Sequence, residues 1–341
     1  MAYAKSAITV LLGVLVVNSC GTSPKVRSPV HPVRIALVDV PLAYLPAILA
    51  DSLGFYKQEG LAATIEHFAS ASKVMQSLLG GSADVAAGTY EQSIQMAAEG
   101  HPVKSFVLFM RHPSRVLLVA PDRALKIRRV EDLKGAVIGV AALGSVNHHF
   151  LNYVLLKHGI SPEEVKAVSI GTGASTSAAM EHGRVDAAVL SGNESIIAMR
   201  RSPGAFPLLD VRGAAGCRRL YGVDTYPTTV LQSTDLWLQK HPDEARRLAR
   251  SIQKSLTWIG QHSPEEIREA TPEQYRVADQ EAELEGLRMM VPSFSPDGVM
   301  PAEGAETVRK AQAFAIDKVR QAHFDLAQTY TNQFVQEAAS K

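Results

Sequence analysis

Five short turns in this sequence carry the residues that could hold a small molecule. In Pro41-Leu42-Ala43-Tyr44 the tyrosine can stack on a ring or donate from its hydroxyl, or fill a core as an aromatic. In Ser70-Ala71-Ser72 the pattern makes Ser72 a helix N-cap, and a capping hydroxyl can also turn toward an anion at the same terminus. Gly88-Thr89-Tyr90-Glu91 combines two hydroxyls and a carboxylate with a glycine that lets a ligand come close to the backbone. Gly144-Ser145-Val146-Asn147 opens a helix after a strand, so its amide N–H groups and the Ser145 hydroxyl form an oxyanion cradle suited to a sulfonate or carboxylate. In Ser191-Gly192-Asn193-Glu194 the acid decides solute charge. Turned into a cleft, Glu194 repels an anion and pairs with an amine or ring N–H; turned away, it is a solvated acid at a helix N-terminus.

Other chemistry finds less support. Cys217 has Arg218 and Arg219 beside it, which would favour the thiolate a nucleophile needs, but it lies outside these turns and no second cysteine follows Cys20 elsewhere in the chain. His148 and His149 are adjacent, so they point to different faces of a helix and do not make a two-histidine metal site. No Gly-x-Ser-x-Gly elbow follows a strand, and neither a zinc-ligand spacing nor a phosphate loop occurs. No metal or cofactor is implied. Lys plus Arg total 35 against 34 Asp plus Glu, a balance that gives no reason to expect nucleic acid or an anionic membrane surface as partner. The expected ligand is a small solute, and the expected protein a monomer.

The elements that must position these turns follow from periodicity. Residues 33–40 read as a strand, then an apolar-periodic stretch to Ala50 as a helix, residues 62–68 as a second strand, residues 72–79 as a second helix, and Asp84-Val85-Ala86-Ala87-Gly88 as a short buried strand. Strands separated by helices run parallel, so this βαβαβ order predicts a doubly wound, mostly parallel sheet with its ligand edge at the strand C-termini. The same order recurs further along. Val38 and Val140, Ser72 and Ala174, and Asp84 and Asp186 are each 102 positions apart. A period this long predicts two similar lobes, since solenoid repeats are only about 20 to 50 residues long. Asp84 and Asp186 each stand just before a buried strand, which points to a structural role in the turn.

Residues 103–109 and 115–120 read as the passage from one lobe to the other, and Pro227-Thr228-Thr229-Val230-Leu231 as the return; Tyr221, Asp224 and Tyr226 lie near that return and could line a cleft floor. From Leu236 onward the pattern is helical. The expected division is lobe one at 33–111 and 225–341 and lobe two at 112–224. Two short crossings make a hinge about which the lobes close on a solute.

The N-terminus reads as an export signal. Lys5 precedes an apolar run at 7–17, shorter than the roughly 20 residues a spanning helix needs. Val17-Asn18-Ser19-Cys20 resembles a bacterial lipobox, in which Cys20 is lipidated and residues 1–20 are the signal; a plain secretory signal is the alternative, and both export the chain. The polar segment 21–32 suits a tether between anchor and folded body.

The body resembles the nitrate, sulfonate and taurine type of periplasmic solute-binding protein, a group that includes thiamine-precursor binders. The marks are Pro46-Ala47-Ile48-Leu49-Ala50 with Gly54-Phe55-Tyr56-Lys57-Gln58-Glu59-Gly60-Leu61, Gly80-Gly81-Ser82-Ala83-Asp84-Val85-Ala86, Val130-Glu131-Asp132-Leu133-Lys134-Gly135, Gly144-Ser145, and Gly183-Arg184-Val185-Asp186-Ala187-Ala188. The resemblance implies a two-lobed α/β fold of the type II periplasmic-binding-protein kind, a location outside the cytoplasm, no catalytic residues, and an ABC permease with its ATPase as partner. Relatives of this fold include sulfinate desulfinases with a cysteine nucleophile and pyrimidine synthases with a cysteine-rich motif, so an enzyme using Cys217 is the competing expectation. A ligand-sensing lipoprotein is a third.

Overall fold

The computed structural model describes residues 30–38, 41–68, 71–101 and 103–339; the export signal, Cys20, Ser70 and most of the tether lie outside the described residues. The chain runs β1 (His31–Val38), a 3-10 turn at Pro41–Tyr44, α1 (Leu45–Ser52), the single turn α2 (Phe55–Gln58), β2 (Leu61–Phe68), α3 (Ala71–Leu79), β3 (Val85–Thr89), α4 (Tyr90–Ala98) and β4 (Val103–Leu108). It continues through β5 (Arg115–Val119), β6 (Val137–Val140), α5 (Val146–Lys157), β7 (Lys166–Ser169), α6 (Ala174–Glu181), β8 (Ala187–Ser191), α7 (Gly192–Arg201), β9 (Phe206–Asp210) and α8 (Gly213–Tyr221). It then forms β10 (Thr229–Thr234) and the helices α9 (Asp235–Lys240), α10 (Pro242–Gln261), α11 (Pro264–Ala270), α12 (Gln280–Met290), α13 (Ala302–Ala315), α14 (Asp317–Gln321) and α15 (Gln333–Ala339).

Among the described residues these strands form two five-stranded sheets, in the orders β2-β1-β3-β10-β4 and β7-β6-β8-β5-β9. Within each, β1, β2 and β3, or β6, β7 and β8, pair in parallel. One strand breaks the pattern: β10 lies antiparallel between β3 and β4, and β5 antiparallel between β8 and β9. The segments expected as linkers are thus sheet members. β4 and β5 sit in different sheets, and the passage between them is the short stretch 109–114; the return ends at Thr228, just before β10 begins at Thr229. The two passages are hydrogen-bonded together, with the Tyr226 amide donating to Arg111 O at 2.9 Å and the Thr228 amide to Met110 O at 3.0 Å.

Helices cover both faces of the second sheet, and its central strands are mostly apolar. In the second sheet Leu117, Val119, Ala187 and Val189 pack with Leu151, Val154 and Leu155 of α5. Their neighbours Val116, Leu118, Ala188 and Leu190 pack on the opposite face with Met180 of α6 and Ala198 of α7. That is the two-residue alternation of a strand, expressed twice. In the first sheet one face meets α1 and the long α10, whose Ala245, Leu248, Ala249, Ile252, Leu256 and Ile259 recur at helical spacing and are fully buried. Pro242 starts that helix at its first position, where a missing N–H costs no hydrogen bond.

The repeated aspartates clamp strands. Asp84 Oδ2 accepts from the Arg34 amide at 2.8 Å, and Asp186 Oδ2 from the Val137 amide at 2.7 Å. Asp84 also receives the Arg34 side chain, and Asp186 that of Arg123. Burial alone would raise both carboxyl pKa values, but these hydrogen bonds outweigh it and hold them below the ordinary range. Replacing either Asp84 or Asp186 by Ala leaves a strand amide without its acceptor and should lower stability by about 1–2 kcal/mol, read from the urea unfolding midpoint; an unchanged midpoint refutes the clamp.

Candidate functional site

The parallel strands of both sheets end where the antiparallel strands begin. Thr89 at the end of β3 pairs with Thr229 at the start of β10, and Ser191 at the end of β8 pairs with Arg115 at the start of β5. Helices α4, α5 and α7 start at this same C-terminal edge, so the edges carry the polar groups of the fold.

A buried ion pair crosses the gap between the sheets. Arg115 Nη2 of β5 donates to Glu91 Oε1 of α4 at 2.9 Å, and the two side chains are 9% and 1% exposed. The second carboxylate oxygen, Glu91 Oε2, is buried without a partner. The guanidinium carbon of Arg115 lies 5.9 Å from the Phe150 ring centroid. Around the pair is a small cavity lined by Val146, His149, Phe150 and Tyr153 of α5, by Tyr221 and Tyr226, and by Ala311 and Gln312 of α13. It leaves room for about one water molecule, so a solute enters only when the sheets part.

The aromatic wall is continuous. Tyr221 and Tyr226 stack with centroids 4.3 Å apart, and Tyr153 follows at 5.3 Å from Tyr221. Burial keeps the Tyr221 and Tyr226 hydroxyls protonated, pushing both pKa values up, and does the same for Tyr44, which also feels the charge of Glu91. A polar chain crosses beside the wall: Gln95 of α4 reaches His149 Nδ1 at 3.3 Å and Gln312 Oε1 at 2.7 Å. Burial, with the charges of His148 and Arg115, lowers the His149 pKa to about 4. His149 is therefore a neutral acceptor at pH 7.

The expected site residues fall into three groups. Glu91 meets Arg115 in the gap, while Tyr44 is buried in the core of the first sheet, where burial and then the charge of Glu91 raise its pKa. Thr89, Ser145 and Ser191 stand at helix N-caps. The Ser145 hydroxyl accepts from the His148 amide and that of Ser191 from the Glu194 amide, each at 3.4 Å; Thr89 Oγ1 is buried without a partner. Asn147 Nδ2 donates to Val189 O at 3.3 Å, tying the 144–147 turn to β8. Asn193 Oδ1 is buried without a partner and lies against Gly286 of α12, where an added Cβ would come within 2.7 Å of it.

The remainder take structural parts that differ from expectation. Tyr90 is fully buried with its hydroxyl 2.7 Å from Thr329 Oγ1, because the first residue of α4 points into the core. The close neighbour of Gly88 is the Gln232 side chain, 2.0 Å from where a Cβ would stand, so its glycine serves packing. Ser72 is an exposed residue inside α3, which already begins at Ala71, so it is no N-cap. The amide of Gly144 donates to His148 Nδ1 at 2.9 Å, which removes one N–H from the expected cradle. Glu194 is turned back on the backbone, accepting from the Gly173 amide at 2.6 Å and the Ser191 amide at 3.0 Å, so the charge that faces the gap belongs to Glu91. Asp224 is exposed and paired with Arg218. Cys217 is fully buried in α8, where burial pushes its thiol up to about 12, the opposite of an activated nucleophile. Arg115, Phe150 and Tyr153 were not expected. The only local mark of the first is an arginine heading an otherwise apolar strand.

Two mixed sheets with helices on both faces, meeting at their C-terminal edges, make this a two-lobed periplasmic-binding-protein fold. The chain matches the family described as NMT1/THI5 like over residues 43–267, and it belongs to that family. YtlA of Bacillus subtilis, named as a binding protein, is 25% identical over 79% of this chain and 78% of its own length. A solved structure from Bordetella bronchiseptica RB50 superposes with a TM-score of 0.83 at 30% identity, over 91% of this chain and 97% of that one. The 4-amino-5-hydroxymethyl-2-methylpyrimidine phosphate synthase of Schizosaccharomyces pombe is 26% identical over 61% of this chain and 60% of its own.

Two outcomes follow. Arg115→Met leaves the Glu91 carboxylate buried and unpaired and should cost about 3–5 kcal/mol in chemical denaturation, most of it recovered in the double variant Glu91→Leu/Arg115→Met; equal losses in both refute the pairing. Because the folded His149 pKa lies below the ordinary 6.5, the unfolded chain takes up the proton first. Its contribution is full above pH 6.5 and is lost as pH falls toward 4, so His149→Gln should flatten the dependence of melting temperature on pH across that window. Parallel pH profiles for the two proteins would count against this.

Proposed function

We propose that this chain is the extracytoplasmic solute-binding component of an ABC-type importer, closing two lobes, 33–111 with 225–341 and 112–224, around a small organic solute. The observation that carries the reading is the Glu91–Arg115 contact: a charge from each half meets its partner at the ligand edge, where a guest held between lobes lies. Closure is reinforced at the rim, where Arg200 of α7 meets Glu281 of α12 at 2.5 Å and Asp279 at 3.3 Å. These exposed pairs contribute little stability and can break on opening.

The lobes close by bending at 109–114 and 222–228, and the closed form is what an importer's membrane subunits recognise. Cys20 supplies a lipid anchor that keeps the protein at the membrane, with 21–30 as tether; the expected tether ran to residue 32, but His31 and Pro32 already pair with β2 as the start of β1. Among the described residues no helix is long and apolar enough to cross a membrane. The enzyme reading has less support, since the Cys217 thiol is buried and held protonated. A binding protein named among the relatives agrees with the solute-binding reading.

Mass spectrometry tests both parts. Native spectra of freshly purified protein should show an adduct of small-molecule mass that is lost on unfolding, and the denatured chain from the membrane fraction should begin at Cys20 with an added lipid mass. A bare chain that no small organic solute stabilises against heat overturns the binding role. An intact chain starting at Met1 overturns the anchor.

A further inference from the structure

The groups facing each other across the gap also define what kind of solute fits, provided the solute-binding reading holds. We propose that Glu91 and Arg115 select a small solute of zero net charge, one that carries a hydrogen-bond donor at one end and an acceptor at the other, and that they reject simple anions.

The argument starts from the charge balance of the closed gap. Glu91 and Arg115 neutralise each other, and both are almost wholly removed from water. A simple anion that takes Arg115 leaves Glu91 buried without its counter-charge, and a simple cation that takes Glu91 does the same to Arg115. Either result is strongly unfavourable, because an uncompensated buried charge costs more than the pair itself yields. A zwitterion can enter between them and supply a counter-charge to each, and a neutral ring with an amino group and an acceptor gives each a hydrogen bond while leaving the two charges balanced against one another.

Two further features agree. Glu91 Oε2 is buried without a partner in a side chain only 1% exposed, so a donor on the solute fills a need that Arg115 leaves open. The remaining wall is neutral: Tyr153, Tyr221 and Tyr226 stack in series, and His149 is an uncharged acceptor paired with Gln95. The other carboxylate expected near the gap, Glu194, is committed to the Gly173 and Ser191 amides, so Glu91 is the acid that reads the solute. Selectivity here is a difference between two charge states, and it is set by the penalty imposed on the wrong one.

Calorimetric titration with four probes decides the matter: taurine as zwitterion, 4-aminopyrimidine as neutral donor and acceptor, ethanesulfonate and nitrate as anions. The wild-type protein should bind taurine or 4-aminopyrimidine at least about tenfold more tightly than either anion. Glu91→Gln removes the carboxylate charge and should gain at least about tenfold in affinity for ethanesulfonate. If that variant does not fold, the double variant Glu91→Gln/Arg115→Gln, which carries no buried charge, should lose the tenfold preference, and a retained preference counts against the idea. Ethanesulfonate or nitrate bound by the wild type as tightly as the neutral probes overturns the inference and leaves the solute-binding reading standing. Failure to bind any of the four, with no co-purified solute, overturns both.

Discussion

The structure depends on a buried contact between opposite charges, one on the helix that follows β3 of the first sheet and the other on a strand of the second. Glu91 stands in the first turn of α4 and Arg115 at the first residue of β5, and their meeting at 2.9 Å brings the two ligand edges together. Desolvating a carboxylate and a guanidinium is costly, and mutual attraction offsets that cost only with good geometry and satisfied neighbours. Here the offset is incomplete, since one carboxylate oxygen has no donor. A contact of this kind holds the lobes in register without holding them permanently.

The surroundings of the pair divide into fixed and movable parts. On one flank α13 packs against the return passage, where Gly304 leaves no room for a Cβ beside Pro227 and Thr225, and its Gln312 joins the polar chain that runs through Gln95 to His149. On the other flank α7 and α12 meet through exposed ion pairs and through Asn193 against Gly286. The first flank combines an aromatic wall with that buried polar chain, and the second combines exposed ion pairs with the buried Asn193 amide. The exposed ion pairs between α7 and α12 contribute little stability, because solvated charges exchange their partners for water at little cost.

Local pattern made much of the fold legible. The 102-residue offset between Asp84 and Asp186 reflects two strand clamps with the same donor–acceptor geometry, each joining the turn before β3 or β8 to the strand β1 or β6 beside it. β9 was not legible, because Pro207 sits within Phe206–Asp210 and proline argues against a central strand. The strand tolerates it by lying at the sheet edge with a register shift opposite Leu117 and Leu118. Arg115 was read only as part of a strand, since its position at the ligand edge follows from β5 running against its neighbours, which no local spacing reveals. Glu194 shows the converse. Its place at a helix start was plain, but the direction of its carboxylate was decided by two backbone amides brought in by the fold.

The placement of β10 bears on how the polypeptide reaches this form. The strands of the second sheet all come from residues 115–210, so that sheet can assemble from one continuous stretch. The first sheet has a gap between β3 and β4 that only Thr229–Thr234 can fill, more than a hundred residues further along the chain. Pairings that distant carry a large loop-closure penalty and form late. A ribosome-bound or translocating chain cannot complete its first sheet until the second has been delivered, so the half encoded first matures last.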